Sequence, residues 1–149
     1  MLIVIVSSFL ATLGFGILFN IQGYKLILAG IGGMLGSVVY TVAIDMAINE
    51  VTALFLASVA FSLYSEILAR ICKTPVTTFI ICALIPLVPG AGMYQTMRIA
   101  IDGDALGALQ TGLDTLTNAG ALALGIIFVS TIMRFFLNRK AKFTNRMQH

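Results

Sequence analysis

Residues that carry chemistry are scarce in this 149-residue sequence: there is no tryptophan, one histidine and two cysteines. The single histidine, His149, has no second imidazole to share a metal or a catalytic proton with. Cys72 and Cys82 lack CxxC spacing, and one disulfide would not make a framework. No metal, no other cofactor and no enzymatic site is therefore expected. Charge is scarce as well. Only 10% of the residues are charged, against about 25% in an ordinary soluble domain. Fifteen charged side chains cannot coat a 15.9 kDa globule, whose surface is large for its volume. A soluble enzyme and a disordered chain are both excluded. What is present is apolar: 59% of the residues are hydrophobic and the mean hydropathy is +1.02. This is the composition of an all-α integral membrane protein.

The net charge of +3 does not point to nucleic acid. Five of the nine basic residues, Arg134, Arg139, Lys140, Lys142 and Arg146, fall in the last sixteen, behind an apolar run. That placement is a membrane-topology signal, and no basic-aromatic patch occurs elsewhere.

A span needs about 20 apolar residues. Five runs qualify or nearly do: 2–19, 26–44, 51–69, 76–101 and 105–133. The first has no basic leader and no small-residue cleavage pattern, so it is expected to stay as a span. The runs are too long for barrel strands and lack their alternation. Helices satisfy the backbone internally, as lipid requires. The expected organisation is one helical domain over 1–133 and a basic cytoplasmic tail over 134–149. The fourth run could instead be two re-entrant halves. With the tail inside, five spans put the N-terminus outside. Inner loops then hold Lys25, Arg70 and Lys73; outer loops hold Asp45, Glu50, Asp102, Asp104 and one base, Arg98. A multi-pass inner (plasma) membrane protein results.

The strongest local feature is Ile85-Pro86-Leu87-Val88-Pro89-Gly90-Ala91-Gly92-Met93-Tyr94, within the fourth run. Proline removes an N–H and clashes with the preceding turn. An unwound stretch in lipid is tolerated where it is buried or lines a cavity. Transporters use such breaks to aim a half-helix N-terminus at a substrate anion. Pro86, Pro89, Gly90, Gly92 and Tyr94 are candidate substrate-site residues on this reasoning. The plainer reading is a packing kink.

Other polar positions also qualify. Ser58, Ser62, Ser65 and Ala69 share one face of the third span, bordered by Glu66. Glu66 is a candidate acceptor for a proton or an amine; alternatively it pairs with Arg70 at i+4. In the fifth span, Gly107, Thr111, Asp114, Asn118, Ala121 and Gly125 form a packing or pore-facing seam. Asp114 sits near the outer boundary, where solvation alone explains it, and Asn118 lies deeper, where it bonds a substrate or another helix. Gly32, Gly33 and Gly36, with Ala29 and Tyr40 near the same face, indicate close helix packing and not a nucleotide loop.

Together these motifs resemble the threonine/serine exporter family, in particular the small (YjjB-like) subunit of its split, two-gene members. The resemblance rests on Phe9-Leu10-Ala11-Thr12-Leu13-Gly14-Phe15 with Phe19-Asn20, on Ser65-Glu66-Ile67-Leu68-Ala69-Arg70, on Thr74-Pro75, and above all on Ile85-Pro86-Leu87-Val88-Pro89-Gly90 with Gly92 and Tyr94. It implies an inner-membrane exporter subunit and a partner, a second five-span half. Odd-span halves fit inverted repeats, and no internal repeat is evident here. The glycine faces are equally compatible with self-association.

Threonine and serine are zwitterions. The helix break offers donors for a carboxylate, and Glu66, Asp114 or Asn118 offer an acceptor for the ammonium. Part of the family is associated with dicarboxylates such as succinate. A dianion needs cations, and Arg98 alone is near the right depth. Amino acids are therefore favoured over dicarboxylates. A purely structural subunit of a membrane complex is the other alternative. A reporter active only outside the membrane, fused after His149, is expected to be silent; activity there overturns the orientation.

Overall fold

The computed structural model describes residues 2–146, with side chains described over 2–135. Six α-helices follow one another: α1 (Leu2–Leu18), α2 (Tyr24–Asp45), α3 (Glu50–Ile71), α4 (Val76–Leu84), α5 (Gly90–Ile101) and α6 (Ala105–Arg146). A single 3₁₀ turn, Ile85–Leu87, extends α4. There is no strand among the described residues.

Four helices end in the same way. After α1, α2, α3 and α5, a residue with positive φ turns the chain: Asn20 (57°), Ala47 (58°), Lys73 (48°) and Gly103 (90°). Its N–H and the next one reach back to the last turn, as in Ile21 N–H to Gly16 O (2.9 Å) and Asp104 N–H to Ile99 O (3.2 Å). This closure satisfies carbonyls that the helix leaves open. Only Gly103 takes it without side-chain strain; a non-glycine residue there costs about 1–2 kcal/mol.

The turns between α1, α2, α3 and α4 are short, so these helices are antiparallel neighbours. α2 packs on α1, α3 and α4, and its glycines let it come close. A Cβ on Gly33 would overlap Thr12 Oγ1 of α1. One on Gly32 would lie 3.2 Å from the Tyr64 ring of α3, and one on Gly36 3.0 Å from Leu87. Two clusters form the core. Leu54, Ala57, Phe61, Ile80, Ala83 and Leu122 join α3, α4 and α6. Ile21, Ala29, Leu68, Phe79 and Cys82 join the other end.

That other end gathers the α1–α2 and α3–α4 turns, and Lys25 Nζ donates to Thr74 Oγ1 across them (2.7 Å). Lys25, Arg70 and Lys73 thus share one end of the bundle. Asp45 and Glu50, around the α2–α3 turn, share the opposite one. α6 enters from the acidic end. Its Thr115 meets Gly92 of α5, and its Gly125 meets Ser58 of α3. α5 packs chiefly on α6 and has no buried residue.

Three helices are long and apolar enough to cross a membrane: Tyr24–Asp45, Glu50–Ile71 and Ala105–Phe135. The pair around the Pro/Gly stretch, bent by 51°, makes a fourth if its arms are one span. α1, at 17 residues, is shorter than the ~20 of a standard span, because the chain already turns at Asn20. The backbone of α6 continues to Arg146 without interruption, since no Gly or Pro follows Gly125. The helical backbone thus runs into the basic segment 134–149 as far as Arg146. The side chains of Arg139, Lys140, Lys142 and Arg146 lie outside the described residues.

Gly33→Ala is expected to destabilise the protein by about 1–3 kcal/mol through overpacking against Thr12. Adding Thr12→Ala should recover most of that loss. Thermal melts of the three variants in detergent check this, and additive losses would refute the contact.

Candidate functional site

Pro86 and Pro89 shape the break. Neither can donate to the preceding turn, so the helix tightens to 3₁₀ and then stops. The Val88 N–H reaches Leu84 O (3.2 Å) and Ile85 O (3.4 Å), and the Gly90 N–H reaches Val88 O (2.7 Å). Val88 is extended (φ −59°, ψ 130°). Pro89 caps α5, and Met93 N–H bonds Pro89 O (3.2 Å). The first-turn N–H groups of Ala91 and Gly92 have no carbonyl behind them in the helix. They form the positive end of α5.

Beside the break lies a cavity of about 230 Å³. It is lined from α1 by Val4 and Ser8, from α2 by Ser37 and Tyr40, from α3 by Glu50 and Leu54, and from the break by 86–89. The volume is below the ~300–1,000 Å³ typical of drug-sized ligands. At ~30 Å³ per water it equals about seven or eight waters, which suits a small metabolite. Its polar groups are hydroxyls and one carboxylate; no lysine or arginine lines it. Glu50 stands in the first turn of α3, where the helix dipole favours a negative charge.

The structure distributes the sequence candidates over three places. Pro86 and Pro89 line the cavity. Gly90 follows directly and has open space around it. Gly92 faces away from the cavity group and onto Thr115; a Cβ there would lie 3.3 Å from Thr115 Cγ2. Tyr94 and Arg98 are exposed on α5. Asp114 is exposed on α6, and Asn118 is half-buried one turn on. Ala121 and Gly125, from the same stripe, are buried, so that stripe is a packing seam in its second half.

Glu66 is elsewhere. It is 16 residues along α3 from Glu50, about 24 Å at helical rise, toward the basic end. It is buried (5% exposed), and its Oε2 accepts from Arg70 Nη2 at 2.9 Å. Arg70 Nε also donates to Glu66 O (3.2 Å). The i, i+4 alternative is thus the observed geometry. Among the described residues, the neighbouring hydroxyls of Ser62 and Ser65 are buried without a partner. The helix break and Glu66 do not meet in this arrangement.

Sequence reasoning placed Glu50 in a loop and passed over Ser8 and Ser37. A signal existed: both serines interrupt strongly apolar runs. Ser8 stands at i−4 from Thr12, which the glycine face of α2 packs against, and Ser37 at i+4 from Gly33. Asp104 has a plain structural role, since its Oδ1 accepts from Gly107 N–H (2.9 Å) and caps α6.

The sequence profile of the threonine/serine exporter family matches residues 4–132. No curated protein and no solved structure matches the chain.

Arg70→Ala leaves a buried carboxylate unpaired and is expected to lower stability by about 1–3 kcal/mol. Glu66→Gln removes the charge but keeps the shape, and its loss should be smaller. Thermal melts in detergent compare them; equal melting temperatures would show that the pair has no structural weight.

Proposed function

Because the chain belongs to the threonine/serine exporter family, we propose that it is a membrane subunit of a secondary exporter that moves threonine and serine out of the cell. The family is one of transporters, not an enzyme class. The observation that carries the finer reading is the interrupted helix beside a small cavity that holds a carboxylate and hydroxyls. Unwound backbone at such a place fits a substrate site between helices.

The bent α4–α5 pair is taken as one broken span, and α1 as a short first span. Five spans then put the N-terminus outside and the basic end in the cytoplasm, in the inner (plasma) membrane. α5 presents its N-terminus to a substrate carboxylate. A second five-span subunit is the proposed partner; the exposed apolar faces of α5 and α6 are available to it or to lipid. Glu66, Asp114, Asn118 and Arg98 would act on substrate at other stages of the path. Export of a dicarboxylate is less well supported, because the cavity offers a dianion no cationic side chain and Arg98 stands in the last turn of α5. A purely structural role would leave the cavity without a use.

Cells that express the chain together with the neighbouring five-span subunit are expected to release threonine and serine into the medium, and succinate far less. Gly90→Leu should abolish that release at unchanged membrane abundance. Succinate as the sole exported species would overturn the substrate. Unchanged threonine efflux from Gly90→Leu would remove the break from the pathway.

A further inference from the structure

Of all the polar groups in the membrane-spanning part, those around the cavity at the break have unspent hydrogen-bonding capacity on three different helices. Ser8 of α1 is 7% exposed and Ser37 of α2 is 3% exposed, and both line the cavity. Among the described residues, neither hydroxyl has a hydrogen-bond partner. Nearby threonines do not behave this way: Thr12 bonds Ser8 O (2.7 Å) and Thr41 bonds Ser37 O (2.8 Å). Both residues line the cavity, so a ligand seated there would meet the hydrogen-bonding capacity that the helices leave free. Tyr40 adds a third hydroxyl. Glu50 supplies the single charge, and among the described residues it has no ion-pair partner.

We propose that this cavity binds a small hydroxyl-bearing amino acid, with the Glu50 carboxylate accepting the substrate ammonium and Ser8 and Ser37 hydrogen-bonding its side-chain hydroxyl. The inference rests on the exporter reading and names the site's specificity. The charges fit. A carboxylate at the mouth and no cation in the lining suit an ammonium and disfavour a dianion. The hydroxyls would select serine over alanine. A site built to bond a substrate hydroxyl is left with unpaired buried groups when the hydroxyl is missing, so it rejects the analogue strongly.

The test measures binding of radiolabelled L-threonine to membrane vesicles carrying the full chain with its partner. L-serine is expected to compete at least about tenfold better than L-alanine. Ser37→Ala should largely remove that preference while alanine binding holds. Glu50→Gln should weaken threonine about tenfold or more, and Glu50→Asp should recover part of it. N-acetyl-threonine, which has no ammonium, should compete poorly with the wild type and lose that handicap against Glu50→Gln. Asp102→Asn, in the α5–α6 turn, should bind as the wild type does. Melting temperatures of all variants identify any that fail to fold, and the acetylated ligand tests Glu50 without a mutation. Wild-type vesicles that bind threonine with no preference for serine over alanine and full affinity for N-acetyl-threonine overturn this site and leave the exporter reading intact. Wild-type vesicles that bind no amino acid overturn both.

Discussion

A peptide group inside a bilayer has no water to bond, so each backbone N–H and C=O must find its partner within the protein. Much else in this molecule follows from that constraint. It makes the chain helical and closes four helix ends with their own following residues. It also gives meaning to the one place where the regular pattern stops. At 85–89 two prolines withhold donors, and the chain answers with a 3₁₀ turn and a short-range bond at Gly90. Such a stretch is sustainable here because α1, α2 and α3 surround its cavity side. The same enclosure produces a compartment of molecular size.

Close approach is the second requirement, and it comes from missing side chains. Helices in lipid gain little from apolar burial against one another, so they rely on intimate packing. α2 supplies this through Gly30, Gly32, Gly33 and Gly36, each against a different neighbouring side chain. Gly125 does the same for α6 against Ser58. Polar groups are then placed by default where helices are tightest. Ser8 and Ser37 lie at the cavity, and Ser58, Ser62 and Ser65 lie along α3.

The sequence made the helical class and most helix boundaries legible, because apolar runs and the polar turns between them are strong signals. α2 and α3 extend only one or two residues beyond the runs that announced them. Proline acts locally, and the chain leaves the regular helix at 85–89, where the two prolines stand. What could not be read was which distant residues the break would meet. Glu66 and Glu50 look alike as carboxylates on one helix, yet they lie near opposite ends of it. Which of the two the break meets depends on where α4 stops along α3, and that is a tertiary matter. Gly92, two residues past the break, also meets Thr115 of α6, a contact that only the packing reveals. The length of α6 was hidden by a composition change, from apolar to basic, that alters solvation without altering helix propensity.

The short turns between the first four helices have a consequence for how the protein is made. Neighbours joined by so few residues find each other early, since the entropy of closing a short loop is small. α1 with α2, and α3 with α4, are therefore competent to associate as soon as each pair has been synthesised. α3 is different, because its main partner on one side is α6. That helix begins more than thirty residues after α3 ends. Until it arrives, the face bearing Ser58 and Ser62 stands uncovered. The docking of that long helix is then a non-local step of assembly, and Ser58 of α3 is one of the groups it must find.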